Sequence, residues 1–190
     1  RAGRVAYFSS FSKLLFPALR LSFLVLPDAL VDITERIMDR ISVRAPLLGQ
    51  GALARFIADG HLAAHLRRTR QLYAGRRTAL LSAADRHLGR WLVIEADPGG
   101  MHLIASPVRD LEPSFDDVAV TEAAAKAGLV VQPLSACYAA RHRRHGLILG
   151  YAGTPEPEIE RGVRTLRHVL ETAVRIEKKA GACRPCCAGS

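Results

Sequence analysis

A single primary amine, set in a turn between two short apolar segments, constrains this chain more than any other feature. Residues 4–8 read Arg-Val-Ala-Tyr-Phe and residues 19–26 read Leu-Arg-Leu-Ser-Phe-Leu-Val-Leu. Both are short, apolar and β-prone, and the polar loop 9–13 that joins them ends on Lys13. Pro27 and Asp28 close the second strand, and Asp28 is placed to cap a helix over residues 29–41. The chain therefore opens as strand, tight polar turn, strand and helix.

The amine is unusual here. The chain has 23 Arg and 4 Lys, the latter being Lys13, Lys126, Lys178 and Lys179, so Lys13 is the only lysine in the first 125 residues. For charge alone the two side chains are nearly exchangeable, and the imbalance is read as codon usage. For chemistry they differ: an amine condenses with an aldehyde, whereas a guanidinium stays protonated and is a poor nucleophile. Ser10 and Ser12 stand three and one residues before this amine and Arg20 seven after it, a plausible phosphate cradle. An aldehyde and a phosphate on one small molecule describe pyridoxal phosphate. The plainer alternative is a surface lysine in a loop, with serines making turn hydrogen bonds.

Beyond Pro46 apolar residues recur at helical spacing: Leu53, Phe56 and Ile57, then Leu62, Leu66, Tyr73 and Leu80. Gly60 is expected to kink or divide this stretch, whose second part runs roughly 25 residues to His87, long enough to connect two lobes. Past Gly89 the pattern changes to short strands over 91–95 and 101–106, with the turn cluster Asp97-Pro98-Gly99-Gly100 between them. A helix over 116–126 stops at Gly128, and strands follow over 129–134 and 146–151. A last helix carries Ile159, Val163, Leu166, Leu170 and Val174 on one stripe. Thr154 is placed to cap it with Pro155 at its first position, Glu156 and Glu158 suit its positive end, and Arg175, Lys178 and Lys179 its negative end.

Composition narrows the classes. A charged fraction of 24% beside 49% hydrophobic residues and a mean hydropathy of +0.09 argues against disorder. No apolar run approaches the roughly 18 residues of a membrane helix, so a soluble protein is expected. The net charge of +9 invites a nucleic-acid reading, and residues 66–90 hold seven arginines against Asp85 alone. Yet these spread around a helix with Tyr73 alone among them, not a series of aromatic stacking platforms, and are read as a solvated face. Cys183, Cys186 and Cys187 crowd a tail with too few ligands for zinc, read as disordered. His61, His65 and His102 sit on separate elements and are read as structural, with no metal site expected. No signal peptide opens the chain, so a cytoplasmic home is expected, and a start at Arg1 suggests a piece of something longer.

Ser-Phe-Ser-Lys (10–13) followed by Pro-x-Leu-Arg-Leu (17–21) resembles the cofactor-lysine motif of the class I/II aminotransferases, pyridoxal-phosphate fold type I. The resemblance implies that Lys13 forms the Schiff base and that Ser10, Ser12 and Arg20 bind the phosphate. More of the chain, over roughly residues 1–175, resembles the C-terminal half of MocR-type regulators, in which an aminotransferase-like domain follows a GntR-type winged helix. The stretches that carry this likeness are 53–61, 65–73, 101–105, 133–138 and 146–151. Complete members also hold the cofactor ring with a stacking aromatic, an Asn, a Tyr and an Asp, all upstream of the lysine. None of these can be placed here, so this chain alone is expected to bind cofactor poorly. Aminotransferases also place a carboxylate-binding Arg at or near the strand 146–149, which here contains none. Of Arg141, Arg143 and Arg144 just before it, Arg144 is the choice for the ligand carboxylate.

The expected architecture is α/β: the end of a large-domain sheet (1–45), a connecting helical segment (46–75), a small α/β domain (76–179) and a disordered Cys-containing tail (180–190). The implied function is an aminotransferase-like domain of a MocR-type transcriptional regulator, sensing an amino acid or amine through Schiff-base exchange at Lys13. A true amino-acid aminotransferase of the 2-aminoadipate or aromatic type is the alternative, and an inactive remnant a third possibility. The intact protein is expected to be a homodimer, to contact DNA only through an N-terminal domain outside these residues, and to have no membrane partner. Lacking most of its large domain, the fragment is expected to leave apolar surfaces uncovered, an aggregation risk.

Overall fold

Residues 3–41, 47–139 and 143–181 are described by the structure, a computed structural model. Pro46, Arg141 and the tail with Cys183, Cys186 and Cys187 lie outside the described residues, as do the side chains of Val174, Arg175, Lys178 and Lys179. The chain divides into two compact units, one up to Thr69 and one from Arg70.

The first unit begins with a hairpin. Strands β1 (Tyr7–Ser10) and β2 (Ser22–Val25) run antiparallel, pairing Tyr7 with Val25, Phe8 with Leu24, Ser9 with Phe23 and Ser10 with Ser22. The apolar stretch expected over 4–8 enters the ladder only at Tyr7. The ladder then continues through Ser9 and Ser10, which the sequence suggested were loop, because each has a partner on β2. On the other side β2 starts late. Pro17–Leu19 wind into a single 3-10 turn, and Arg20 ends it in the left-handed region at φ 52°. The rings of Tyr7 and Phe11 both lie within 6 Å of Phe23 (5.9 and 5.5 Å), covering one face of the hairpin.

Helix α1 (Asp28–Arg40) follows directly. Asp28 is its first residue rather than its cap: Pro27 holds the cap position, and the Leu30 N–H donates to its carbonyl at 2.8 Å. No residue of α1 is buried. Helix α2 (Leu47–Ala58) packs back on the hairpin's far end, where a Cβ on Gly49 would lie 3.4 Å from Leu21 and 3.6 Å from Leu19. Gly60 separates α2 from α3 (His61–Leu88), a 28-residue helix, as the spacing predicts. The division between units falls within α3.

The second unit is a four-stranded antiparallel sheet ordered β3-β4-β6-β5, with β3 Leu92–Glu95, β4 His102–Pro107, β5 Gln132–Pro133 and β6 Leu147–Gly150. Leu103, Ala105, Leu147 and Leu149 project from the central strands into a core shared with Leu80, Ala84 and Leu88 of α3. Helix α4 (Asp117–Lys126) adds Val120 and Ala124, and helix α5 (Glu156–Gly181) adds the predicted stripe Ile159, Val163, Leu166 and Leu170. Gly146 lets β6 approach β4 closely, since a Cβ there would stand 2.8 Å from the Ala105 carbonyl oxygen.

Two boundaries differ from expectation. Strand β5 has only two residues because the ladder to β6 begins at Gln132, and Leu129 is taken up in the turn that closes α4: Gly128, at φ 77°, donates to Ala125 and Leu129 donates to Ala124, a Schellman turn. At α5, Pro155 precedes the helix rather than opening it, and its carbonyl accepts from Glu158 and Ile159. The predicted turn at 97–100 is present and pinned. Arg77 Nε donates to the Asp97 carbonyl, Gly99 N–H to Asp97 Oδ1 at 2.9 Å, and the buried Tyr151 hydroxyl to the Gly100 carbonyl at 2.8 Å.

Candidate functional site

The far end of the hairpin gathers the hydroxyls, amine and guanidinium singled out in the sequence. Cross-strand pairing holds Ser10 opposite Ser22, and the Phe11 N–H extends the ladder to the Leu21 carbonyl at 3.0 Å. The Leu15 N–H then donates to the Phe11 carbonyl at 2.8 Å, closing the turn in which Lys13 lies. Ser10 Oγ accepts from the Ser12 N–H at 3.2 Å and donates to the Leu21 carbonyl at 3.4 Å, fixing how the chain leaves the strand. Ser10 and Ser12 are half-buried; the Lys13 and Arg20 side chains are exposed.

Arg20 is the only non-glycine with positive φ among the described residues. A left-handed conformation costs an L-residue about 1 kcal/mol or more, and such strain concentrates at sites where a side chain must be aimed. The N–H of Arg20 donates to Pro17, so the tight turn and the side-chain direction are set together.

Charge favours an anion here. Residues 1–27 contain Arg1, Arg4, Lys13 and Arg20 and no Asp or Glu. No carboxylate of this segment competes for the guanidinium or the amine. Hydroxyl donors, one fixed cation and one amine, with no acidic neighbour in sequence, fit a phosphate that also bears an aldehyde.

In the second unit Arg144 donates to Glu95 of β3 and, at 3.3 Å, to Ser106 Oγ of β4. The Glu95 carboxylate, by hydrogen bond and by charge, raises this guanidinium above its already high range, and Tyr138 contributes in the same sense. The residue chosen for a ligand carboxylate thus carries one of the chain's own. Arg143 also has interactions.

Sequence reasoning missed two polar anchors. Asp117 is completely buried, and its carboxylate accepts from Ser135 N–H and Oγ (both 2.8 Å), Gly146 N–H (3.1 Å) and His145 Nδ1 (3.0 Å). Burial alone pushes its pKa up, but the bonds from Ser135, Gly146 and His145 outweigh that and hold it below the usual carboxylate value. Its neighbour Asp116 is the exposed helix cap, accepting from Val118 and Ala119. The Asp116-Asp117 pair was a visible signal, although nothing in it says which carboxylate turns inward. The second anchor is His65, whose Nε2 lies 2.9 Å from the Leu14 carbonyl oxygen. Among the described residues no three His, Cys, Asp or Glu side chains are grouped to hold a metal ion, and no helix is long and apolar enough to cross a membrane.

No family model matches the chain. It is 38% identical to the probable rhizopine catabolism regulatory protein MocR of Rhizobium meliloti, over 98% of this chain and 38% of that protein. It is 33% identical to the uncharacterized HTH-type transcriptional regulator YhdI of Bacillus subtilis, over 87% of this chain and 34% of that one. Among solved structures, the multiple substrate aminotransferase of Thermococcus profundus superposes with a TM-score of 0.82 at 24% identity, over 92% of this chain and 42% of its own. The α-aminoadipate aminotransferase LysN of Thermus thermophilus, complexed with N-(5'-phosphopyridoxyl)-L-leucine, gives a TM-score of 0.78 at 25% identity, over 90% of this chain and 43% of its own. The fold is therefore that of the pyridoxal-phosphate-dependent aminotransferases, fold type I. Within it the chain is an aminotransferase-like homologue of the MocR-type GntR regulators and of the aminotransferases, spanning about two fifths of the length of the relatives it matches.

Proposed function

We propose that this chain is the cofactor-binding, aminotransferase-like part of a MocR-type transcriptional regulator, with Lys13 as the cofactor amine and an amino acid or amine as its signal. The observation that carries the reading is the hairpin end: an exposed amine in a closed turn, flanked by Ser10, Ser12 and the strained Arg20, with no acid before Asp28. Bound there, pyridoxal phosphate would supply an aldehyde with which primary amines condense reversibly. Ser12 would donate its hydroxyl hydrogen to the phosphate, Ser10 would do so on releasing the Leu21 carbonyl, and Arg20 would neutralise it. The turn closed by Leu15 and Phe11 presents the Lys13 amine.

Arg144 is the proposed partner of a ligand carboxylate, which must displace Glu95 to reach it. DNA binding belongs to a separate winged-helix domain, ligand state being passed to it as a shift in conformational population. The intact regulator is proposed to be a cytoplasmic homodimer. The domain boundaries proposed are those of the sequence reading.

The test is to add pyridoxal phosphate to the full-length protein, reduce with borohydride and map the adduct by peptide mass spectrometry. The adduct is expected on Lys13 and is expected to vanish in Lys13→Ala. A reducible visible band that persists in Lys13→Ala sinks the assignment. The second reading, an amino-acid aminotransferase, draws on the aminotransferase structures above. Multiple turnovers of an L-amino acid to its keto acid would favour it over the regulator.

A further inference from the structure

His65 stands one turn into α3, and its Nε2 lies 2.9 Å from the carbonyl oxygen of Leu14, the residue directly after Lys13. A carbonyl oxygen can only accept, so Nε2 carries the hydrogen and donates. Thr69 Oγ1, one turn further along α3, lies 3.5 Å from the same nitrogen, at the outer limit of a hydrogen bond.

The rest of the turn is held differently. Leu15 to Phe11 and Ser12 to Ser10 are bonds within the turn, which give it shape without fixing its place. Leu15, Phe16 and Leu19 line an apolar groove with Ala52, Leu53 and Phe56 of α2, a contact that tolerates sliding. The Leu14 side chain is itself partly exposed. Among the described residues, the His65 bond is the one directional tie from a neighbouring helix to the peptide adjoining Lys13.

We propose that His65 is a positioning residue for Lys13. It holds the Leu14 carbonyl, and with it the backbone from which the amine projects, in constant register with Ser10, Ser12 and Arg20. The inference rests on the reading of Lys13 as the cofactor amine.

The experiment uses the full-length protein and pyridoxal phosphate as the probe, with borohydride trapping on the Lys13 peptide measured by mass spectrometry against cofactor concentration. His65→Leu removes the donor while keeping an apolar chain of similar reach. His65→Gln places an amide N–H near the position of Nε2. The leucine variant is expected to raise the concentration for half-maximal trapping by about three- to tenfold, the size of one hydrogen bond, and the glutamine variant to restore most of it. Equal trapping in the leucine variant and the native protein overturns the proposal, as does a glutamine variant no better than leucine. If His65→Leu does not fold, His65→Ala takes its place, and failure of both to fold overturns the proposal in favour of a purely structural role. An adduct that survives in Lys13→Ala instead condemns the Lys13 reading, so the two failures are distinguishable.

Discussion

From Leu80 onward the chain encloses a continuous core, in which Ala83, Leu88, Ala105, Leu147 and Leu170 have no accessible surface. Before Leu80, Leu21 is the only buried hydrophobic among the described residues. In the first unit Phe8 is 67% exposed, Ile33 50%, Ile37 51% and Ile41 62%. The two units have similar apolar patterning, yet only one of them satisfies it internally. An amphipathic pattern thus records that a face is meant to be covered, and does not say by what. The candidate cofactor residues all lie in the unit with the thin core. There hydrogen bonds around the turn, rather than apolar burial, set the geometry of Lys13.

The sharpest way to break this comparison is to separate the units. Residues 70–181 made alone are expected to melt cooperatively, with a stability of about 5 kcal/mol or more. Residues 1–69 made alone are expected to show no cooperative transition and to bind a hydrophobic dye. A two-state melt of 1–69 would show that its single buried leucine understates its core.

Point substitutions ask the same question on a smaller scale. Leu103, 1% exposed in the middle of the second sheet, should cost about 2–5 kcal/mol when changed to alanine, read from urea midpoints. Phe8→Ala, on the open face of the hairpin, should stay within about 0.5 kcal/mol although it removes a larger side chain. Equal losses at the two positions would mean that the hairpin face is covered in solution.

Much of this was legible in the sequence, and what was not has definite physical causes. The α5 stripe, the break at Gly60 and the stop at Gly128 could be read because local periodicity and glycine chemistry decide them. The ends of β1, β2 and β5 could not, because a strand begins where a partner is found. Ser9 and Ser10 are polar and looked like loop, but Phe23 and Ser22 stand opposite them. At the hairpin end, Ser10, Ser12, Lys13 and Arg20 could be singled out from spacing, their roles resting on the proposal above, whereas the tie from His65 to Leu14 spans 51 residues and leaves no local trace. Asp117 looked like any helix-start acid, since only the arrival of Ser135 and Gly146 makes it a buried acceptor.

Asp117 offers a test of intermediate size within the second unit. Its folded pKa is depressed, so the stability it contributes is present above the unfolded carboxylate value of about 3.9 and is lost as pH falls through the lower folded value. Asp117→Asn keeps the shape but replaces one acceptor oxygen with an NH2 that faces donors. It should cost about 1–3 kcal/mol at neutral pH. The native protein's acid loss, followed as melting temperature from pH 6 to pH 2, should be correspondingly shallower in the variant. Parallel acid profiles would show that other carboxylates govern that limb.

The smallest effect belongs to Arg144 and Glu95, which join the loop before β6 to the sheet edge across exposed ends, 56% and 49% accessible. Coulomb attraction between such groups is weakened by water and salt, and ordering two long side chains offsets what is left. Glu95→Gln is therefore expected to leave the melting temperature of the protein unchanged at physiological salt. A fall of several degrees would make the pair a structural clasp of the second unit, and Arg144 would then be committed to Glu95 rather than available to a ligand. If the melt is unchanged, the same variant sharpens the proposed role of Arg144. With Glu95 neutral, the guanidinium loses its internal competitor, so an L-amino acid should bind the full-length, cofactor-loaded protein a few-fold more tightly. The matching amine without a carboxylate should be unaffected. Equal gains for both probes would place the ligand carboxylate somewhere other than Arg144.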